Sequence, residues 1–151
     1  MYQYKYTPFK CDINLLKGDD LLVLKSVSEG WYIDYKQELI QIKNISKQLS
    51  SFANQYGGWL FFGIKESYDK WAGEFIGIPN DKVEHARTAI REASSAHSNP
   101  EVYYEEKVIN GPVENIGLED DKSIIVIHIP EGLNPPYIHS SGRIYRRVGD
   151  S

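Results

Sequence analysis

The segment Ser50 to Ile64, S-S-F-A-N-Q-Y-G-G-W-L-F-F-G-I, constrains the fold more than any other part of the chain. From Ile45, the residues Leu49, Phe52, Ala53 and Tyr56 recur at the three-four spacing of one helix face, with Asn44 as the candidate N-cap and Gly57 as a left-handed stop. Gly58 then releases the chain into Trp59 to Ile64, whose unbroken apolar character predicts a strand covered on both faces. Upstream, Trp31 to Lys36 is aromatic and β-branched and predicts a strand with one wetter face. Strand, helix and strand in that order make a βα unit. Asn54, Gly57 and Gly58 read as a structural motif: Asn54 bonds locally where the helix ends, and the two glycines permit a tight exit and close backbone packing.

The remaining punctuation extends this unit. A short helix is expected over Asp19 to Val27, behind Gly18. A short strand is expected at Phe75 to Ile78. A second helix starts at Pro79-Asn80-Asp81 and carries Val83, Ala86, Ile90, Ala93 and His97 on one face. Strands follow at Val102 to Ile109 and Ile124 to Ile129, and Tyr137 to His139 with Arg143 to Val148 form a hairpin across Ser140-Ser141-Gly142. The expected class is α+β, a mixed β-sheet of about five to six strands with two principal helices. Residues 1–18 read as an N-terminal arm or edge strand before one domain over 19–151.

One domain suits 151 residues. With 13% aromatic residues and eleven tyrosines the chain is not disordered, and no apolar run approaches a membrane span. Met1 to Lys10 lacks the apolar core of a signal peptide, so a cytoplasmic location is expected. A single cysteine, Cys11, excludes an internal disulfide scaffold. The net charge of -4 argues against bulk electrostatic coating of nucleic acid, but its distribution matters more. Glu101 to Asp121 holds seven acids and one base, a net of -6, which leaves +2 for the rest of the chain.

The basic residues gather at the C-terminal end. On a strand, Arg143, Tyr145 and Arg147 share one face, where guanidinium forks grip phosphates and a phenol stacks on a base; Lys36, with Lys43 and Lys47, extends that footprint. The competing explanation is an edge strand kept basic against strand addition. His85, His97, His128 and His139 fall in different elements without metal-ligand spacing, so no zinc site is expected. Ser50-Ser51 and Ser140-Ser141 lack a nucleophile-elbow context. Gly57, Gly58 and Gly63 follow a helix, the wrong polarity for a phosphate-cradling loop. Trp59 reads as core, Trp31 as core or interface, and Trp71 as a loop residue suited to a partner surface.

Four segments in order resemble the Schlafen AlbA-type domain: E-G-W-Y-I-D-Y-K from Glu29, the Ser50 to Ile64 corner, I-I-V-I-H-I-P from Ile124, and P-P-Y-I-H-S-S-G-R-I-Y-R-R-V-G-D-S from Pro135. That family includes DNA-binding domains of bacterial transcriptional regulators with divergent AAA-type ATP-binding regions. The resemblance implies a nucleic-acid-binding regulatory module, contacting DNA or RNA, at the N-terminal end of a longer chain and self-associating as a homo-oligomer, such as a dimer. ATP would concern only regions beyond this chain. In nuclease members of the family an acidic triad holds a metal, and the matching positions here are Glu29, Asp34 and Glu66.

The resemblance therefore offers an alternative, a metal-dependent endoribonuclease in which Glu29, Asp34 and Glu66 bind Mg²⁺ or Mn²⁺ and activate water. A further alternative is a protein-interaction or nucleotide-sensing domain. A five-residue spacing puts positions 29 and 34 of a regular strand on opposite faces, so convergence requires a turn at Glu29-Gly30. Asp34 is shorter than the family's usual Glu, and Lys65 stands where an acid is common. On the plainer reading Glu29 and Glu66 are solvated acids, and Asp34 pairs with Lys36 on the same strand face.

Overall fold

The computed structural model describes residues 6–147, and Val148 of the predicted hairpin lies outside them. The βα unit forms as expected. Strand β1 (Ile33–Lys36) pairs in parallel with β2 (Gly58–Phe62) through the crossover helix α1 (Ile42–Ala53). Helix α1 starts earlier than the Asn44 cap predicted, with Gln41 in the N-cap position, because Ile42 also packs on the core.

The apolar run Trp59 to Ile64 is broken, not continuous. Gly63 adopts φ +101°, which sends Ile64 out of the main sheet. There β3 (Ile64–Glu66) pairs with β4 (Ala72–Phe75) as a separate ribbon. The expected strand at Phe75 to Ile78 splits between the end of β4 and β5 (Ile78–Pro79), with Gly77 at φ +82° between them. A 3₁₀ turn at Asn80–Lys82 leads into α2 (Val83–Ser95), which ends before His97.

The central strand is β8 (Lys122–Ile129). It pairs antiparallel with β2 along Ile125 to Ile129, with β5 at Lys122 and Ser123, and with β7 (Glu105–Asn110) along Ser123 to His128. Since Ser123 is opposite both Ile78 and Asn110, β5 and β2 share one edge of β8 and β7 takes the other. This mixed five-stranded sheet, with its helices, makes the domain α+β.

Alternation along β2 and β8 separates two cores. Trp59, Phe61, Ile124 and Val126 face one side, where they meet Phe9, Ile13, Leu16, Leu21 and Leu24. Leu60, Phe62, Ile125, Ile127 and Ile129 face the other, under α1 and α2. Residues 6–18 are therefore a packed layer and not an edge strand. The helix expected over Asp19 to Val27 is a 3₁₀ helix, Gly18–Ser26.

The C-terminal hairpin does not form as predicted. Strand β9 (Ile138–His139) pairs with β6 (Ser98–Asn99), and among the described residues the two arms of the expected hairpin meet at a single bridge, Ile138 to Ile144, with His139 N–H donating to Arg143 O at 2.9 Å and Gly142 N–H to His139 O at 2.8 Å. Residues 143–147 otherwise run without strand structure, so the strand alternation that put Arg143, Tyr145 and Arg147 on one face has no backbone to support it.

Candidate nucleic-acid interface

The turn before β1 solves the parity problem of positions 29 and 34. Gly30 N–H donates to Ile33 O at 3.1 Å, and Glu29 N–H donates to Lys70 O at 2.9 Å, which ties this turn to the β3–β4 connection. Glu29 Oε2 accepts a 2.7 Å hydrogen bond from the Tyr35 backbone N–H. Folded back in this way, the Glu29 carboxyl lies close to the carboxyls of Glu66 and Asp34. Neighbouring carboxylates repel one another, so such a cluster favours a proton on one of its members. Burial first, then the Glu66 and Asp34 carboxyls, push the Glu29 pKa up to about 9, against the Tyr35 N–H, which favours the anion.

Asp34 is 3% exposed and has two cationic partners. Lys36 Nζ lies 3.0 Å from Oδ2, and Arg147 Nη2 lies 3.4 Å from Oδ1. Arg147 itself is 1% exposed. Its guanidinium donates to Gly30 O and Ile33 O, both at 2.9 Å, and to Gln48 Oε1 at 3.1 Å, and it sits 4.8 Å from the centre of the Phe52 ring. A side chain so enclosed cannot reach a phosphate in this fold. Arg147 is a structural clamp on the β1 turn.

The other predicted basic residues divide. Arg143 is exposed. Tyr145 is half-buried, with Lys47 Nζ 4.9 Å above its ring and the His139 ring 5.4 Å away edge-on. Its phenol is therefore partly occupied as a stacking surface. Lys36 is partly exposed while it contacts Asp34.

Asn54 does more than bond locally. Its Nδ2 donates to Tyr137 O and Tyr145 O, both at 2.9 Å, and its Oδ1 accepts from Tyr137 N–H at 2.6 Å. It thus fastens the C-terminal segment to the end of α1. Gly57, at φ +76°, packs so tightly that an added Cβ would lie 2.5 Å from Ile129 O; one on Gly58 would lie 2.5 Å from the Phe52 ring. Both glycines are required by close approach.

Beside the carboxyl cluster, a groove of about 510 Å³ runs between β1 and the β3–β4 turn. It is lined by Lys36, Lys65, Lys70, Glu66 and Tyr68, among others. Tyr68 is 99% exposed. The turn is closed by Lys70 N–H to Ser67 O at 2.9 Å and Ser67 N–H to Trp71 O at 2.6 Å, with Lys70 at φ +66°. Sequence reasoning overlooked Lys70 and Tyr68 and treated Lys65 only as a departure from the triad. The signal was present in K-E-S-Y-D-K, lysines flanking a tyrosine.

The oxygen donors of Glu29, Asp34 and Glu66 are of the type Mg²⁺ or Mn²⁺ prefers. In this arrangement Asp34 is engaged by Arg147 and Lys36, so an ion would compete with those cations, and among the described residues no three acids stand in a metal-holding geometry.

No curated protein matches the chain. Among solved structures it is similar to the DIP2311 protein from Corynebacterium diphtheriae, at 18% identity and a TM-score of 0.48, over 80% of this chain and 21% of that one. The chain thus spans about a fifth of that protein's length. The family model described as Schlafen, AlbA_2 matches residues 29–151, which include the β1 turn, the carboxyl cluster and the Arg147 clamp, and the chain belongs to that family.

Proposed function

We propose that this domain binds nucleic acid through the groove between β1 and the β3–β4 turn. The observation that carries the reading is the placement of Lys36, Lys65 and Lys70 around the fully exposed Tyr68. Lysines offer point charges to successive phosphates, and a projecting phenol offers a face on which any base can stack. The net negative charge of the chain does not oppose this, because seven acids are concentrated between Glu101 and Asp121. Family membership supports association with nucleic acid at a coarse level. The finer reading is the DNA-binding domain of a bacterial transcriptional regulator, cytoplasmic and self-associating, with ATP handled by regions outside this chain. Fluorescence polarisation with labelled duplex DNA and single-stranded RNA, each at several salt concentrations, tests it. The double variant Lys65→Ala/Lys70→Ala should weaken binding and flatten the logarithmic salt dependence by about 0.7 to 0.9 per lysine lost. Unchanged affinity and slope would sink the groove as the interface.

A second reading, a metal-dependent endoribonuclease, is favoured by one observation: the Glu29 carboxyl meets both Asp34 and Glu66. Recovery of shortened RNA on a denaturing gel after incubation with Mn²⁺ would support it.

A further inference from the structure

At the other end of β1, a cavity of about 410 Å³ opens where β2 begins and β8 ends. Its lining shares no residue with the lysine groove. The walls are aromatic: the Tyr6 and Tyr32 rings stack at 4.7 Å, Tyr56 lies 6.3 Å from Tyr32, and Tyr137 and Tyr103 also line the space.

The cavity is preformed by close backbone packing. Gly132 N–H donates to Ala53 O at 2.9 Å, and an added Cβ at Gly132 would run into the Tyr137 ring. The Tyr137 hydroxyl in turn accepts from Asn134 N–H at 3.3 Å. Two exposed carboxylates, Glu101 and Glu131, border the space. Among the described residues the lining contains no Lys or Arg, and its one imidazole, His128, is hydrogen-bonded to Glu105 at 2.8 Å.

Such a site repels phosphates and attracts the opposite charge. Aromatic faces carry negative quadrupole potential, which draws a cation whose hydration shell is weak, and flanking carboxylates add to the attraction. We infer that this cavity binds an organic cation with an apolar body, an alkylated ammonium group presented by a small molecule or by a methylated lysine side chain. The ligand's alkyl surface fills the tyrosine-lined space, and its charge faces Glu101 and Glu131. The site is independent of nucleic-acid binding.

The test is a titration of the 151-residue chain, followed by intrinsic fluorescence, with choline, its neutral isostere 3,3-dimethylbutan-1-ol, adenosine monophosphate, and a peptide bearing trimethyllysine beside its unmodified form. Choline or the trimethyllysine peptide should bind roughly five-fold or more tightly than its uncharged or unmethylated counterpart. Glu131→Gln and Tyr56→Ala should each weaken cation binding several-fold, with circular dichroism confirming the fold. Both positions are exposed, and Glu131→Gln alone suffices where Tyr56→Ala fails to fold. Preference for the peptide assigns the source to a protein side chain, and preference for choline assigns it to a small molecule. Equal binding of choline and its isostere, tighter binding of the nucleotide, or no binding of either cation by folded protein would overturn the inference.

Discussion

Arg147 reaches Asp34 across 113 residues of sequence and holds it from inside the protein, with both side chains almost wholly buried. The guanidinium also caps the Gly30 and Ile33 carbonyls, so one side chain fixes the turn that aims Glu29 and the strand that bears Asp34. The pair therefore belongs to folding before it belongs to any chemistry.

Breaking this pair from one side leaves a buried charge without a partner. Arg147→Met is expected to cost about 3–5 kcal/mol of stability, measured by urea unfolding. Adding Asp34→Asn should restore part of the loss, because the orphaned carboxylate is then gone. A double variant no more stable than Arg147→Met alone would mean that the carbonyl contacts, and not the ion pair, carry the effect.

The Glu29 proton makes stability depend on pH in a particular direction. The folded-state pKa of about 9 lies above the ordinary value of 4.5, so between those limits the unfolded chain releases a proton that the folded chain keeps. The unfolded state then binds fewer protons, and the Glu29 contribution falls as pH rises from about 4.5 to about 9, levelling off above that. Glu29→Gln retains a neutral hydrogen-bonding group and should remove this component. Urea midpoints at pH 5, 7 and 9 for both proteins check it, and parallel pH trends would refute the assignment.

The βα corner was legible because its information is local: helical spacing, a glycine stop and a buried run follow one another within Ile45 to Phe62. Gly63 marked a break that the apolar run concealed, since hydrophobicity alone does not distinguish one strand from two that change sheets. The role of Arg147 was hidden for another reason. Period-two reading presupposes a strand, and the 143–147 segment is held instead by distant partners, Asn54, Gln48 and Gly30, whose proximity no local pattern encodes. The carboxyl cluster was identified by family resemblance, whereas the lysine groove depends on where the β3–β4 turn folds against β1.

Asn54 supplies two donors and one acceptor to the C-terminal segment. Asn54→Ala should cost about 2–4 kcal/mol, since partly buried backbone groups at Tyr137 and Tyr145 lose their partners. Asn54→Asp should be no milder, because its second oxygen would face two carbonyls. Limited proteolysis should then cut sooner between residues 137 and 147. Wild-type resistance in both variants would show that the segment is held by its other contacts.

Lys70 combines a left-handed backbone with a place in the groove. Lys70→Gly relieves the steric cost at φ +66° and removes the charge, so stability should be unchanged or higher by up to about 1 kcal/mol. Nucleic-acid affinity should nevertheless fall. A stable variant with undiminished affinity would remove Lys70 from the interface without any ambiguity from misfolding.

Glu66 is the acid that can separate catalysis from folding. Asp34→Ala would strip Arg147 of its buried partner, so a loss of cleavage in that variant would not distinguish a missing ligand from a collapsed turn. Glu66 is exposed, and its carboxyl lies near Glu29 at the rim of the lysine groove. Glu66→Gln should alter stability by no more than about 0.5 kcal/mol. For a binding module, removing this negative charge from the groove should leave oligonucleotide affinity equal or somewhat higher, with RNA intact in the presence of Mn²⁺. If the wild type shortens RNA and Glu66→Gln binds it without cutting, the acids serve catalysis and the ribonuclease reading replaces the binding one.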